Sequence, residues 1–174
     1  FQVRVEVAGN VAELDTINNL RIQRFNHRAV ESVPFIEQFE YSDLYRSEWY
    51  LENPDFNFTW DTMRTSGVDG GQFSGTMKFS TLIPNHQEDG LISPLIATPS
   101  SGDLKLKFDY SYLFWHPIFN DSLSVYISEG CGDTWPHKVF YAGGEDLGTV
   151  ETNDPNQDFV PTLPEHWKDT IIDI

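Results

Sequence analysis

Residues 104–112, Leu-Lys-Leu-Lys-Phe-Asp-Tyr-Ser-Tyr, alternate apolar and polar or charged side chains almost without a break. Successive side chains leave opposite faces of an extended backbone, so this period of two fits a strand with one buried face and does not fit a helix. Residues 122–128, Ser-Leu-Ser-Val-Tyr-Ile-Ser, and residues 1–7, Phe-Gln-Val-Arg-Val-Glu-Val, repeat the pattern. No helical period is sustained anywhere. Further strands are expected over residues 20–25, 35–39, 75–80, 91–96, 138–141 and 170–174. The stretches between them are rich in Gly, Pro, Asn and Asp, as in Pro84-Asn-His-Gln-Glu-Asp-Gly90 and Pro99-Ser-Ser-Gly102. Many short strands punctuated by turns predict an all-β fold, an antiparallel β-sandwich or jelly roll, over a parallel α/β sheet.

The 174 residues allow one medium domain, or a small one with part of a neighbour. Residues 1–30 read as a β-hairpin, which buries too little surface to be stable alone and so needs company. The last stretch, Thr170-Ile-Ile-Asp-Ile174, reads as a strand that has only begun, with at least one pairing partner expected beyond residue 174.

Charge excludes some partners. Asp and Glu total 27 against 11 Lys and Arg, a formal net charge of −16, which repels phosphate-rich surfaces. Nucleic acid is a poor partner, and no apolar run approaches the roughly 20 residues of a membrane-spanning helix. At 39% hydrophobic and 14% aromatic content, the chain still has enough bulky apolar material for a core. Cys131 is the single cysteine and has no internal disulfide partner.

Catalytic constellations are not found in this sequence. His27, His86, His116, His137 and His166 stand apart, without the paired histidines on one helical turn that a zinc protease needs. Gly71-Gln-Phe-Ser-Gly75 carries its serine at the wrong offset for a nucleophile elbow and is read as a hairpin turn. Asp154-Pro-Asn-Gln-Asp158 with Glu165 mimics a calcium loop, yet Phe159 stands where glycine is required. The chain is therefore expected not to be an enzyme.

From Pro34 to Trp167 a series of short motifs runs in order. They are Pro34-Phe-Ile-Glu-Gln-Phe-Glu40, Trp49, Asn53-Pro-Asp-Phe-Asn-Phe-Thr-Trp60, Asp89-Gly-Leu-Ile-Ser-Pro-Leu-Ile96, Leu106-Lys-Phe-Asp-Tyr110, Asp121-Ser-Leu-Ser-Val-Tyr-Ile-Ser128, Cys131-Gly-Asp-Thr-Trp135 and Phe159-Val-Pro161. In that order and spacing they resemble the choice-of-anchor J domain, a relative of the cleaved-adhesin modules and of the meprin/A5/receptor-phosphatase jelly rolls. Residues 1–25, with Gly9-Asn10, Glu13, Asp15 and Asn18-Asn19, resemble the closing hairpin of bacterial cell-adhesion-related immunoglobulin-like modules. The two resemblances divide the chain into residues 1–30, the end of an immunoglobulin-like module, and residues 31–174, a jelly roll lacking roughly its last thirty to forty residues on domain-size grounds.

The resemblance implies a non-catalytic adhesion, binding or spacer module of a large secreted or outer-surface protein of the Bacteroidota type, exported by type IX secretion. A protein partner or an export-machinery assembly is expected around it. The alternatives are the substrate-capturing accessory domain of a secreted zinc metallopeptidase and a carbohydrate-binding module. Related jelly rolls hold a cation where the first strand meets the loop before a Trp, which maps calcium onto Glu40, Asp55 and Asp89; the competing reading is solvated turn carboxylates. For a glycan ligand, Tyr41, Tyr45, Trp49, Tyr50 and Trp115 are the candidate stacking residues, with Trp115 the first to test, whereas Trp49, Trp60, Trp135 and Trp167 read as packing residues. Thr16, Thr62, Ser122 and Thr170 each follow Asp and precede an aliphatic residue or Met, which resembles the O-glycosylation signal of such bacteria.

Overall fold

The computed structural model describes residues 2–6, 20–24, 30–40, 44, 48–66, 71–77, 88–115, 121–129, 132, 134–152 and 159–174. Thr16, Tyr41, Tyr45, Cys131, His27, His86, His116 and the loop 154–158 lie outside them. The fold is all-β. Among the described residues fourteen strands are joined by loops, with short 3-10 turns at Gly144–Asp146 and Pro164–His166. Among the described residues no helix is long and apolar enough to cross a membrane.

In chain order the strands are β1 (Gln2–Glu6), β2 (Leu20–Arg24), β3 (Val30–Ser32), β4 (Tyr50–Glu52), β5 (Asp61–Arg64), β6 (Phe73–Thr76), β7 (Gly90–Ile92) and β8 (Leu95–Ala97). Then follow β9 (Lys105–Tyr110), β10 (Leu113–Phe114), β11 (Ser122–Ile127), β12 (His137–Gly143), β13 (Val150–Glu151) and β14 (Lys168–Asp173). Among the described residues they pair two by two. The ladders β1–β2, β4–β7, β5–β6, β9–β14 and β11–β12 are antiparallel, while β3–β8 and β10–β13 are parallel.

The alternation over residues 104–112 decides the core. Leu106, Phe108 and Tyr110 turn inward from β9 while Lys105 and Lys107 stay exposed. Phe108 and Tyr110 meet Phe140 of β12 at ring-centroid separations of 5.2 and 5.7 Å, the first edge-on. Ala142, Leu147, Leu123 and Tyr112 complete this cluster. The β9–β14 ladder and the β11–β12 ladder therefore share one apolar seam, and edge-to-face aromatic pairs add about 0.5–1.5 kcal/mol each beyond area burial.

Several expectations change. Residues 35–39 do not form a strand. Phe39 sits at φ 53°, and the Glu37 carboxylate takes the Phe39 N–H at 2.6 Å, so a local side-chain bond replaces a ladder bond. The single strand expected over residues 91–96 is two. Pro94 has no N–H to give a ladder, so β7 pairs antiparallel with β4, and β8, beyond the proline, pairs parallel with β3. The hairpin turn expected at residues 71–75 overlaps β6, which places Ser74 in a ladder opposite Met63. The last strand pairs through all of Lys168–Asp173 with β9, which does not bear on the further partner expected beyond residue 174.

Candidate functional site

The loop between β4 and β5 is folded by its own polar groups. Asn53 donates from Nδ2 to the Asn57 carbonyl at 2.9 Å, Asp55 Oδ1 accepts the Asn57 N–H at 3.0 Å, and the Phe58 N–H donates to Asn57 Oδ1 at 2.9 Å. Asn and Asp favour such turns because their short side chains reach nearby backbone groups. At the end of the loop, the Trp60 indole N–H donates to the Asp89 carbonyl at 3.1 Å, which ties it to the start of β7.

Strand register brings the other side of the site into place. Glu52 stands opposite Gly90, so the next pair outward sets Asn53 against Asp89. A Cβ at Gly90 would lie 3.1 Å from Glu52 Cβ and Oε2, so the bare glycine lets the Glu52 side chain lie across the strand. Both carboxylate oxygens of Asp89 are screened from solvent with no hydrogen-bond partner, and so are Asn53 Oδ1 and Thr59 Oγ1. Burial, followed by the like charge of Asp55, raises the Asp89 pKa above the usual carboxylate value. Nature's normal remedy for a shielded carboxylate is a donor or a cation.

Glu40, Asp55 and Asp89 are the predicted cation ligands. Asp55 and Asp89 come within electrostatic reach of each other. Glu40 Oε1 accepts the Gln72 N–H at 2.7 Å, just ahead of β6. Among the described residues no group of three His, Cys, Asp or Glu side chains is gathered. Two further shielded, unbonded oxygens belong to an amide and a hydroxyl of the loop between β4 and β5, Asn53 and Thr59, which are not acids. Their only sequence signal is the turn composition of Asn53-Pro-Asp55. A hard cation accepts carboxylate, amide and hydroxyl oxygens alike, so the chemistry of these oxygens suits calcium.

Trp115 is half-buried directly after β10. Trp49, Trp60 and Trp167 are also half-buried. Their indole N–H groups donate to Glu37 Oε2 at 2.8 Å, the Asp89 carbonyl at 3.1 Å and the Ser66 carbonyl at 3.1 Å. Trp135 is more exposed, at 38%. Of the hydroxyls considered for glycosylation, Ser122 is exposed at the start of β11 and Thr170 is half-buried opposite Phe108. Thr62 Oγ1 is screened from solvent and unbonded.

Comparison of the chain with family models, with curated proteins and with solved structures finds no match.

Proposed function

We propose that the chain is a non-catalytic β-sandwich module of a larger secreted or cell-surface protein, serving adhesion or spacing, with a calcium ion bracing the loop ahead of Trp60. The observation that carries this reading is the pair of shielded, unbonded Asp89 carboxylate oxygens beside Asp55, with Asn53 Oδ1 and Thr59 Oγ1 in the same state. Asp89, Asp55, Asn53 and Thr59 would hold the ion. Calcium would neutralise the two carboxylates and cross-link the loop to β7, the role such ions have in extracellular modules of modest affinity.

The jelly-roll topology is supported by the shared apolar seam of the β9–β14 and β11–β12 ladders. The non-catalytic role is supported by Ser74, the only serine close to a nucleophile-elbow pattern, lying paired in β6 rather than on a sharp turn. The ordered motif series resembling choice-of-anchor J domains supports secretion, type IX export and a protein or export-machinery partner.

Isothermal titration of the metal-free chain with calcium tests the proposal. Saturable binding that weakens at least about tenfold in Asp89→Asn is expected. Absence of binding, or equal binding by the variant, overturns the cation-braced reading.

A further inference from the structure

The β11–β12 ladder turns a second polar and aromatic surface away from the core. A register shift between Val125 and Tyr126 pairs Val125 with Phe140 but Tyr126 with Lys138, skipping Val139. A bulge of this kind re-aims the side chains beyond it. Here it brings Lys138 to the outer face, with Nζ 5.3 Å from the ring centroids of both Tyr126 and Tyr141. Tyr141 is 62% exposed and points away from the seam that Phe140 and Ala142 enter.

Gly143 explains how the Tyr141 ring is held. A Cβ there would lie 2.9 Å from Tyr141 Oη and 3.4 Å from Cζ, so the phenol rests along the strand over the bare glycine backbone. Ser122 stands opposite Gly143, with its Cβ 3.3 Å from that same position. Beside it opens a concavity of about 290 Å³ lined by Asp121, Ser122, Tyr141, Gly143, Gly144 and Glu145. Gly144 at φ 56° turns the chain so that its N–H donates to the Asp121 carbonyl at 2.9 Å. The Tyr112 hydroxyl, from inside the fold, donates to Asp121 Oδ2 at 2.7 Å. The Asp121 carboxylate is therefore held in one orientation at the wall of the concavity.

An exposed ring fixed along a strand, flanked by two carboxylates and by hydroxyl and ammonium donors, matches the chemistry of a pyranose. Its C–H face stacks on an aromatic ring, and its vicinal hydroxyls both donate and accept. Asp121, Glu145 and the net charge of −16 disfavour an anionic sugar. Lys138 already lies near the Tyr141 ring as its cation, which disfavours a cationic ligand there. We propose that Tyr141, with Asp121 and Glu145, forms a binding site for a neutral sugar residue of a glycan. Neither Trp115 nor any residue of the Asp89 loop is among the residues that line it.

The test is titration of the full chain, followed by amide NMR shifts, with maltotetraose, cellotetraose and chitotetraose, and with a hyaluronan tetrasaccharide as the anionic control. Saturable shifts centred on Tyr141 and Gly143 are expected with at least one neutral sugar and not with hyaluronan. Tyr141→Ala should weaken binding about tenfold or more at unchanged melting temperature. Asp121→Asn should weaken it too. Gly143→Ala keeps the ring but displaces it, so it should also reduce affinity. Failure of all three neutral sugars to bind at millimolar concentration overturns the proposal, as does hyaluronan binding of equal strength or undiminished binding by Tyr141→Ala.

Discussion

Trp60 donates its indole N–H to the main-chain carbonyl of Asp89, the residue whose own carboxylate oxygens have no donor. One side chain thus fixes the backbone of the acid while leaving its charge uncompensated. That division of labour suits a residue whose carboxylate is reserved for something other than folding, since unpaired buried charge costs stability.

Asp89 gives a pH prediction with a definite sign. Its pKa is raised in the folded chain, by burial and then by Asp55, so the folded chain binds this proton more tightly than the unfolded chain does. Its contribution to stability is fully present below the unfolded value and is lost as pH rises through the folded value. In metal-free buffer, Asp89→Asn should remove this loss and melt higher than the unsubstituted chain at neutral pH. Urea unfolding across the acid range checks it, and a variant less stable at neutral pH would contradict it.

Glu37 holds two groups with one carboxylate, the Phe39 N–H and the Trp49 indole N–H. Phe39 and Trp49 also pack against each other, tilted, at 5.4 Å between ring centroids. Glu37→Ala should lower stability by about 1–3 kcal/mol, the range for losing bonds to a charged acceptor. Glu37→Gln, which keeps an acceptor oxygen, should lose less. Denaturant midpoints at constant m-value report both.

Phe56 combines a left-handed backbone, φ 59°, with 93% exposure. A bulky residue pays about 1–2 kcal/mol for that conformation, and little burial offsets it here. Phe56→Gly should therefore leave stability unchanged or raise it by up to about 1 kcal/mol after the entropy cost of glycine. A fall in melting temperature would show that the ring supports the fold.

Phe140 closes the seam between the β9–β14 and β11–β12 ladders. Phe140→Ala should cost about 3 kcal/mol and unfold both ladders together. Hydrogen exchange would show joint loss of protection in β9 and β12. Loss confined to β12 would mean that the ladders are not coupled through this ring.

The parts of this fold that can be read from sequence are those with enough residues to carry a period. β9 and β11 run for six residues each, and the inward positions Leu106 and Phe108 are the ones the alternation picks out. β3, β4, β10 and β13 have two or three residues, too few to show a period, and their partners are distant in the chain. Asp55 and Asp89 stand out as acids in turns. Asn53 and Thr59 do not, because amide and hydroxyl oxygens are common in every loop and only the register of β4 against β7 sets Asn53 beside Asp89. The Tyr141 surface left no mark in the sequence, since it depends on a bulge at Val139 and on a glycine two residues along the strand.

The most direct test of the cation-braced loop uses Trp60 as an internal antenna. Terbium, an oxygen-seeking stand-in for calcium, should give luminescence sensitised by the indole tied to Asp89. The emission should be displaced by calcium, fall sharply in Trp60→Phe and vanish in Asp89→Asn. Emission that is absent, or that survives both substitutions, would contradict the account.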